Sequence, residues 1–180
     1  MGPDRLFTIG HSTRSFGDLV ALLKREGVRH LIDVRAFPAS RRYPHFSKRS
    51  LESSLPGTSV RYTHFPELGG RRKGIAGSRN VKWRNAGFRA YADYMETTEF
   101  QRALDRLLER AAEDPTAIMC AEGVPWRCHR TLIADAVEAR GVRVFHILDS
   151  GTSRHTLTSF AAVGESRVRY DTGQSELFQR

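Results

Sequence analysis

The feature that most constrains this chain is a regular alternation of short apolar runs with helical patterns. Leu6–Gly10, Val28–Arg35, Val60–Phe65, Thr116–Cys120 and Val142–Leu148 each span five to eight residues, the length of buried strands. Between the first two, Ser15 and Asp18 have the spacing of a capping box. Phe16, Leu19, Val20, Leu22 and Leu23 recur there at helical period, and Gly27 is a stop. Further helical patterns run over Ser50–Leu55, through Phe88, Tyr91, Tyr94 and Met95, and from Phe100 to Ala111, where Asp114-Pro115 breaks the last of them. His129–Arg140, with Leu132, Ile133, Ala136 and Val137 inward, closes at Gly141. Strands alternating with helices predict an α/β fold: a single Rossmann-like domain over residues 1–150, with a mostly parallel sheet of about five strands and helices on both faces. Residues 151–180, where the pattern fades, are expected to pack on the domain or trail from it. Gly69–Gly87 reads as a long exposed loop.

In such a sheet ligands sit beyond the carboxyl ends of the strands. Those ends here read His11-Ser12, Asp33–Arg35, His64, Cys120–Glu122 and Asp149, a run of polar and reactive side chains. At 180 residues the chain can bury a core without disulfides or metal staples. No apolar run approaches the length of a membrane span, no secretory leader pattern is present, and two cysteines make no disulfide framework. These features predict a soluble cytoplasmic protein without a membrane partner. The net charge is +9, but it is regional: residues 1–90 carry +12 and residues 91–180 carry −3. Clusters at Arg41-Arg42, Lys48-Arg49 and Arg71-Arg72-Lys73 predict a positive surface suited to a nucleotide or nucleic acid, with a solvated basic face as the plain alternative.

The densest chemistry lies in Cys120-Ala-Glu-Gly-Val-Pro-Trp-Arg-Cys-His-Arg130, a loop between a buried strand and a helix N-terminus. Three chemistries fit its residue types. Cys120 can be a nucleophile in a phosphatase-like or rhodanese-like cradle, although Arg127 stands seven places on rather than six and Pro125 removes one N–H. Cys120 and Cys128 can bind a metal with a histidine drawn from His11, His64 or His129, although seven residues between cysteines is not a standard zinc spacing. The two thiols can also cycle through a disulfide. Glu122 and His11 are the acid/base candidates. Ser12, Arg35, Arg41, Arg42, Cys128, His129 and Arg130 are the candidate ligand-binding residues. The Arg41-Arg42-Tyr43-Pro44-His45-Phe46 segment mixes cations with rings.

Taken together, Thr8–Ser12, Asp33-Val34-Arg35 with Pro38 and Ser40, Phe46, Tyr62, Leu68-Gly69-Gly70, Gly87-Phe88, Tyr91-Ala92, Cys120-Ala-Glu122 and Cys128-His129-Arg130 resemble the domain of unknown function 488 family, over about residues 6 to 150. The resemblance implies a compact α/β domain, as found in bacteria and archaea, with no established reaction. It marks His11, Ser12, Asp33, Arg35, Cys120, Glu122, Cys128, His129 and Arg130 as site residues. The expected function is an enzyme, or a domain derived from one, acting on a phosphate-bearing ligand. The alternative is a nucleic-acid-binding module with structural cysteines. His11, Arg35, Glu122 and His129 are expected around one pocket, bordered by Arg41, Arg42, Arg71, Arg72 and Lys73. Cys120 and Cys128 are expected to be reduced and close, with Cys128 in the first helical turn.

Overall fold

A computed structural model describes residues 2–39 and 41–170; Ser40 and the last ten residues of the expected C-terminal extension lie outside the described residues. Strands β1 (Arg5–Gly10), β2 (His30–Asp33), β3 (Arg61–His64), β4 (Thr116–Cys120) and β5 (Arg143–Leu148) form one parallel sheet, and β6 (Gly151–Arg154) adds antiparallel to β5. The order is β3-β2-β4-β1-β5-β6. The mostly parallel α/β sheet is therefore present. Its order departs from the 3-2-1-4-5 of dinucleotide-binding sheets because β4 is inserted between β1 and β2.

Helix placement follows from this order. The connections β1→β2 and β2→β3 run one way along the sheet, and β3→β4 and β4→β5 run the other. Right-handed crossovers then send α1 (Phe16–Arg25) and α2 (Lys48–Ser54) to one face, and α3 (Ala86–Met95), α4 (Thr98–Glu113) and α5 (Arg130–Ala139) to the other. Two separate cores result. Phe7, Ile9, Leu31 and Met119 pack under Leu19, Leu23 and Leu51 on the first face. Leu6, Ile32, Ile118 and Val144 pack under Tyr91, Phe100, Leu107 and Ile133 on the second. Adjacent strand residues fall into different cores, as the period of two requires. The strands β1, β2 and β4 are buried on both faces, so their sequences show apolar runs rather than alternation.

Local signals set the ends of the helices. Ser15 accepts from the Asp18 N–H at 3.1 Å while the Asp18 carboxylate accepts from the Ser15 N–H, which completes the capping box. Gly27, at φ 68°, ends α1 in the left-handed region. Asn85 and Thr97 cap α3 and α4. The Gly69–Gly87 segment, expected to be exposed, has no regular structure before α3 begins at Ala86, but is anchored. Asn80 is buried and donates to Asp93 and Glu96, and Trp83 packs against Phe88, Phe160 and Tyr170. Among the described residues no helix is long and apolar enough to cross a membrane.

The segment after residue 150 joins the sheet through β6 and then forms a hairpin of β7 (Ala162–Gly164) and β8 (Arg167–Arg169). A buried polar chain ties it to the core. The Asp135 carboxylate on α5 accepts from His155 Nε2 at 2.8 Å, from Thr158 and from the Tyr170 hydroxyl at 2.7 Å. His155 Nδ1 accepts from His146 Nε2 at 2.9 Å, and His146 Nδ1 accepts from the Thr8 hydroxyl at 2.8 Å. The chain thus runs unbroken from Asp135 on α5 to Thr8 on β1. Burial holds the pKa of His146 down at about 4, with help from His155, and burial holds His30 and His11 down at about 4 as well.

These three rings titrate near 6.5 in an unfolded chain, which therefore binds more protons than the folded one below that pH. Their contribution to stability is complete above pH 6.5 and is lost as pH falls towards 4, at no more than roughly 2 kcal/mol for each ring between pH 7 and pH 5. Urea unfolding at pH 7.5, 6 and 5 should show a falling midpoint. A midpoint unchanged across that range contradicts neutral burial of these rings.

Candidate functional site

The parallel register brings the informative strand ends together. Gly10 of β1 lies beside Cys120 of β4, and Asp33 of β2 lies beside Met119. The pairing continues past the strands, with the His11 N–H donating to the Cys120 carbonyl and the Ser12 N–H to the Ala121 carbonyl. The loop after Cys120 then folds back over the end of β1. A Cβ on residue 10 would stand 1.8 Å from the Glu122 carbonyl oxygen, so only glycine admits the crossing. From α5, the buried Arg130 reaches under the loop and donates to the same carbonyl and to Thr8 Oγ1. Arg130, expected to hold an anion, is instead the internal brace of the loop.

Beyond Cys120 lies a cavity of about 320 Å³, lined by Arg35, Phe37, Arg71, Phe88, Glu122 and Arg127 among others, with Cys120, Cys128 and His129 grouped together on its wall. That volume is at the lower end of the range for small-molecule sites. Three of the four residues expected around one pocket, Arg35, Glu122 and His129, line it; His11 does not. Strand alternation separates His11 from Cys120. Gly10 and Cys120 share the face covered by α5, so His11, one residue on, turns to the face covered by α1 and α2. There it stacks on Phe46 with ring centroids 4.4 Å apart. Its Nδ1–H donates to the Ser12 carbonyl and its Nε2 accepts from Arg35 Nη1 at 3.2 Å, so it is neutral and serves to position Arg35. Ser12, at φ 49°, packs below Gly123.

Arg35 is 6% exposed and lies between two elements. Its guanidinium forms a fork with the fully buried Asp33, at 2.9 and 2.6 Å, and donates to the Phe46 carbonyl at 2.7 Å. Tyr62 donates to the same Asp33 carboxylate. The pairing raises the Arg35 pKa against the burial that opposes it, so the cation is permanent. Arg71 and Arg127 are exposed at the cavity, and the Arg71 guanidinium lies 5.8 Å from the Phe37 ring centre. Of the other basic residues expected at its border, Arg41, Arg42 and Lys73 are exposed but are not among its lining residues. Arg72 is half-buried: it donates to the Gly69, Glu67 and Pro66 carbonyls and covers the Tyr94 ring at 3.5 Å.

The sulfur cluster is the most ordered part of the wall. Both thiols are free and buried. His129 Nδ1 lies 3.5 Å from Cys128 Sγ and 3.9 Å from Cys120 Sγ. Its Nε2 faces the Val34 carbonyl at 3.0 Å; a carbonyl only accepts, so Nε2 carries a proton and Nδ1 faces the two sulfurs. Tyr91 holds the ring from one side, with centroids 5.1 Å apart, and is itself fixed by its hydroxyl on the Leu68 carbonyl. Gly70 holds it by close approach, since a Cβ there would lie 2.4, 2.7 and 3.0 Å from Nδ1, Cγ and Cε1. Those nearly equal distances put Gly70 over the ring face, clear of the in-plane approach to Nδ1.

Cys128 precedes the helical turns rather than lying within the first. Its backbone is extended, and its sulfur accepts from the Arg130 N–H at 3.5 Å, as a capping side chain does. A hydrogen bond from Cys120, with His129 and Arg130 nearby, pushes the Cys128 thiol well down; the same bond and burial push Cys120 well up. Of the histidines weighed as partners for the cysteines, His11 and His64 are engaged elsewhere, His64 on the Arg35 carbonyl at 2.8 Å. Asn85, which also lines the cavity, carried no chemical signal in the sequence, and Gly70, Gly87 and Phe88 were singled out for more than local structure only by the family pattern.

A sequence model of the family described as Domain of unknown function DUF488 matches residues 15–137, about two thirds of the chain. No curated protein and no solved structure matches.

The crossing at residue 10 gives a direct test. Gly10→Ala should destabilise the protein by about 2–4 kcal/mol, through overpacking against the Glu122 carbonyl. Gly17→Ala, where a Cβ meets only Ser15 Oγ at 3.8 Å, should be neutral or stabilising by up to about 1 kcal/mol. Urea denaturation of the two variants checks both signs, and equal effects would contradict the crossing.

Proposed function

The chain belongs to the domain of unknown function 488 family, and from its cavity we propose that it is an enzyme, or a domain derived from one, that acts on a phosphate-bearing ligand of the nucleotide class. The observation that carries this reading is the convergence of Arg35, Arg71 and Arg127 with the Phe37 and Phe88 rings around a cavity walled by Cys120, Cys128 and His129. Phe37 is 72% exposed, and a large ring left in water beside two exposed guanidinium groups suits a flat base next to a phosphate. Arg35 offers a cation fixed in place by Asp33 and His11. Arg71 and Arg127 offer exposed ones within reach of an anion in the cavity.

Glu122 is the acid/base group of this reading. Its carbonyl is fixed by Arg130 while its carboxylate is exposed at the cavity, so the backbone is rigid and the side chain is free to reach a bound ligand. Two free thiols inside a hydrogen-bonded cluster support a reducing, cytoplasmic setting. The other reading is a nucleic-acid-binding module. It rests on the exposed Arg41, Arg42 and Lys73 outside the cavity, and gives the same arginines no catalytic neighbour.

Calorimetric titration with inorganic phosphate and with nucleoside 5′-mono- and diphosphates separates the two. Cavity binding predicts nucleotide affinity that falls about fivefold or more in Arg71→Ala and in Arg127→Ala, and weakens in Phe37→Ala. Affinity confined to long oligonucleotides, lost steeply with added salt and unaffected by Phe37→Ala, would support the module and overturn the enzyme reading.

A further inference from the structure

We propose that Cys120 Sγ, Cys128 Sγ and His129 Nδ1 are three ligands of a single zinc-class divalent cation, whose fourth coordination position opens into the cavity. Three observations carry it. The first is geometry: the three donor atoms lie within 4.8 Å of one another. With Zn–S of about 2.3 Å and Zn–N of about 2.0 Å, a tetrahedron has S···N edges of about 3.5 Å. The two S···N distances here are 3.5 and 3.9 Å, and the two sulfurs lie within 4.8 Å of each other against a tetrahedral S···S edge of about 3.8 Å, so a cation at the centre draws the sulfurs together by no more than about 1 Å.

The second is the preparation of the nitrogen ligand. A metal-bound imidazole characteristically donates its other N–H to a backbone carbonyl or carboxylate, which fixes the tautomer and the ring plane. His129 does this through Val34, on the strand end beside β4, and its ring is clamped by Tyr91 and Gly70. Gly70 covers the ring face and leaves the in-plane approach to Nδ1 open. The Arg130 N–H on Cys128 Sγ supplies the outer hydrogen bond that a thiolate ligand accepts.

The third is the balance of the donor set. Two sulfurs and one imidazole are a soft combination suited to zinc in tetrahedral geometry, and three protein ligands with an accessible fourth position mark a catalytic rather than a structural site. All three ligands line the cavity, together with Glu122. Two metal-bound thiolates cancel the charge of a divalent cation. A loaded cluster therefore adds no net negative charge where Arg71 and Arg127 would draw in an anion. The fourth position would hold water or a ligand oxygen, with the Glu122 carboxylate within the same cavity to handle its proton. That last use rests on the phosphate-ligand reading; the metal site does not.

The test uses the full chain, reduced and freed of metal by a chelator, and titrated with cobalt(II). One equivalent should bind and produce a sulfur-to-cobalt charge-transfer band in the near ultraviolet, with the intense visible bands of four-coordinate cobalt, and zinc should displace it. Cys120→Ser, Cys128→Ser and His129→Gln should each weaken binding at least tenfold, whereas Glu122→Gln should leave stoichiometry and the charge-transfer band in place. Should a ligand variant fail to fold, alkylation of the wild-type chain followed by mass spectrometry serves instead: stoichiometric zinc should protect Cys120 and Cys128 together. Absence of the charge-transfer band in the reduced chain, or equal alkylation with and without zinc, overturns the metal site. Repeating the nucleotide titration with the metal-free and zinc-loaded chains keeps the two readings separate. Nucleotide binding without the cobalt signature fails only the metal, and the signature without nucleotide binding fails only the ligand class.

Discussion

Everything at the site depends on one close approach, the passage of the Glu122 carbonyl over Gly10. It turns the chain back across the sheet edge immediately after Cys120 and so returns Cys128 and His129 to the strand end they left. The approach is held from below by Arg130, which leaves one face of the loop sealed against the core and the other facing the cavity. Arg130 also donates to Thr8, the first group of the Thr8–His146–His155–Asp135 chain, so the loop, β1, β5 and the segment beyond residue 150 share one hydrogen-bonded network. Removing any charged member of so buried a network would leave its partner unsatisfied.

The charges divide into buried and exposed sets. Asp33 and Arg35 neutralise each other out of solvent, a geometry that contributes position more than stability because both groups have lost hydration. His11 and Tyr62 complete the bonding of that pair on the same face of the sheet, the one covered by α1 and α2. Arg71 and Arg127 stay hydrated at the cavity, where the cost of meeting an anion is small. A buried, bonded cation inside and exposed cations at the mouth are the arrangement on which the proposed anion site rests.

The fold was largely legible in the sequence because it is written in period. Ser15, Gly27 and Asp114-Pro115 mark helix ends by local chemistry that tertiary contacts did not override, and the five parallel strands stand out as buried runs. The sixth was not legible: Gly151–Arg154 is an edge strand with little apolar content, paired through its backbone. Strand order was equally hidden, since nothing in β4 alone says that it enters between β1 and β2. At the site, the strand-end rule found Cys120, Glu122 and Arg35, but it treated His11 as equivalent to them. Beyond a strand end the alternation still applies, and His11 is one residue out of phase with Cys120. Arg130 was read by its charge, when its place inside the first turn of α5 directs it inward. Gly70 and Asn85 come from a segment without periodicity, and only the folded chain brings them to His129 and the cavity.

The insertion of β4 has a consequence for how the chain is made. During synthesis β1 emerges first, yet both of its parallel neighbours, β4 and β5, are encoded more than a hundred residues later. Until then β1 and α1 have no sheet to join, while β2 and β3 can already pair. Domains rich in such distant pairings fold slowly and leave strand edges open on the way. The nascent chain therefore carries an unsatisfied apolar strand while the next hundred or so residues are made, and Cys120, the last residue of the strand that closes the gap, is also the first of the Cys120–Cys128–His129 cluster. Assembly of the sheet and assembly of the cluster thus wait on the same strand.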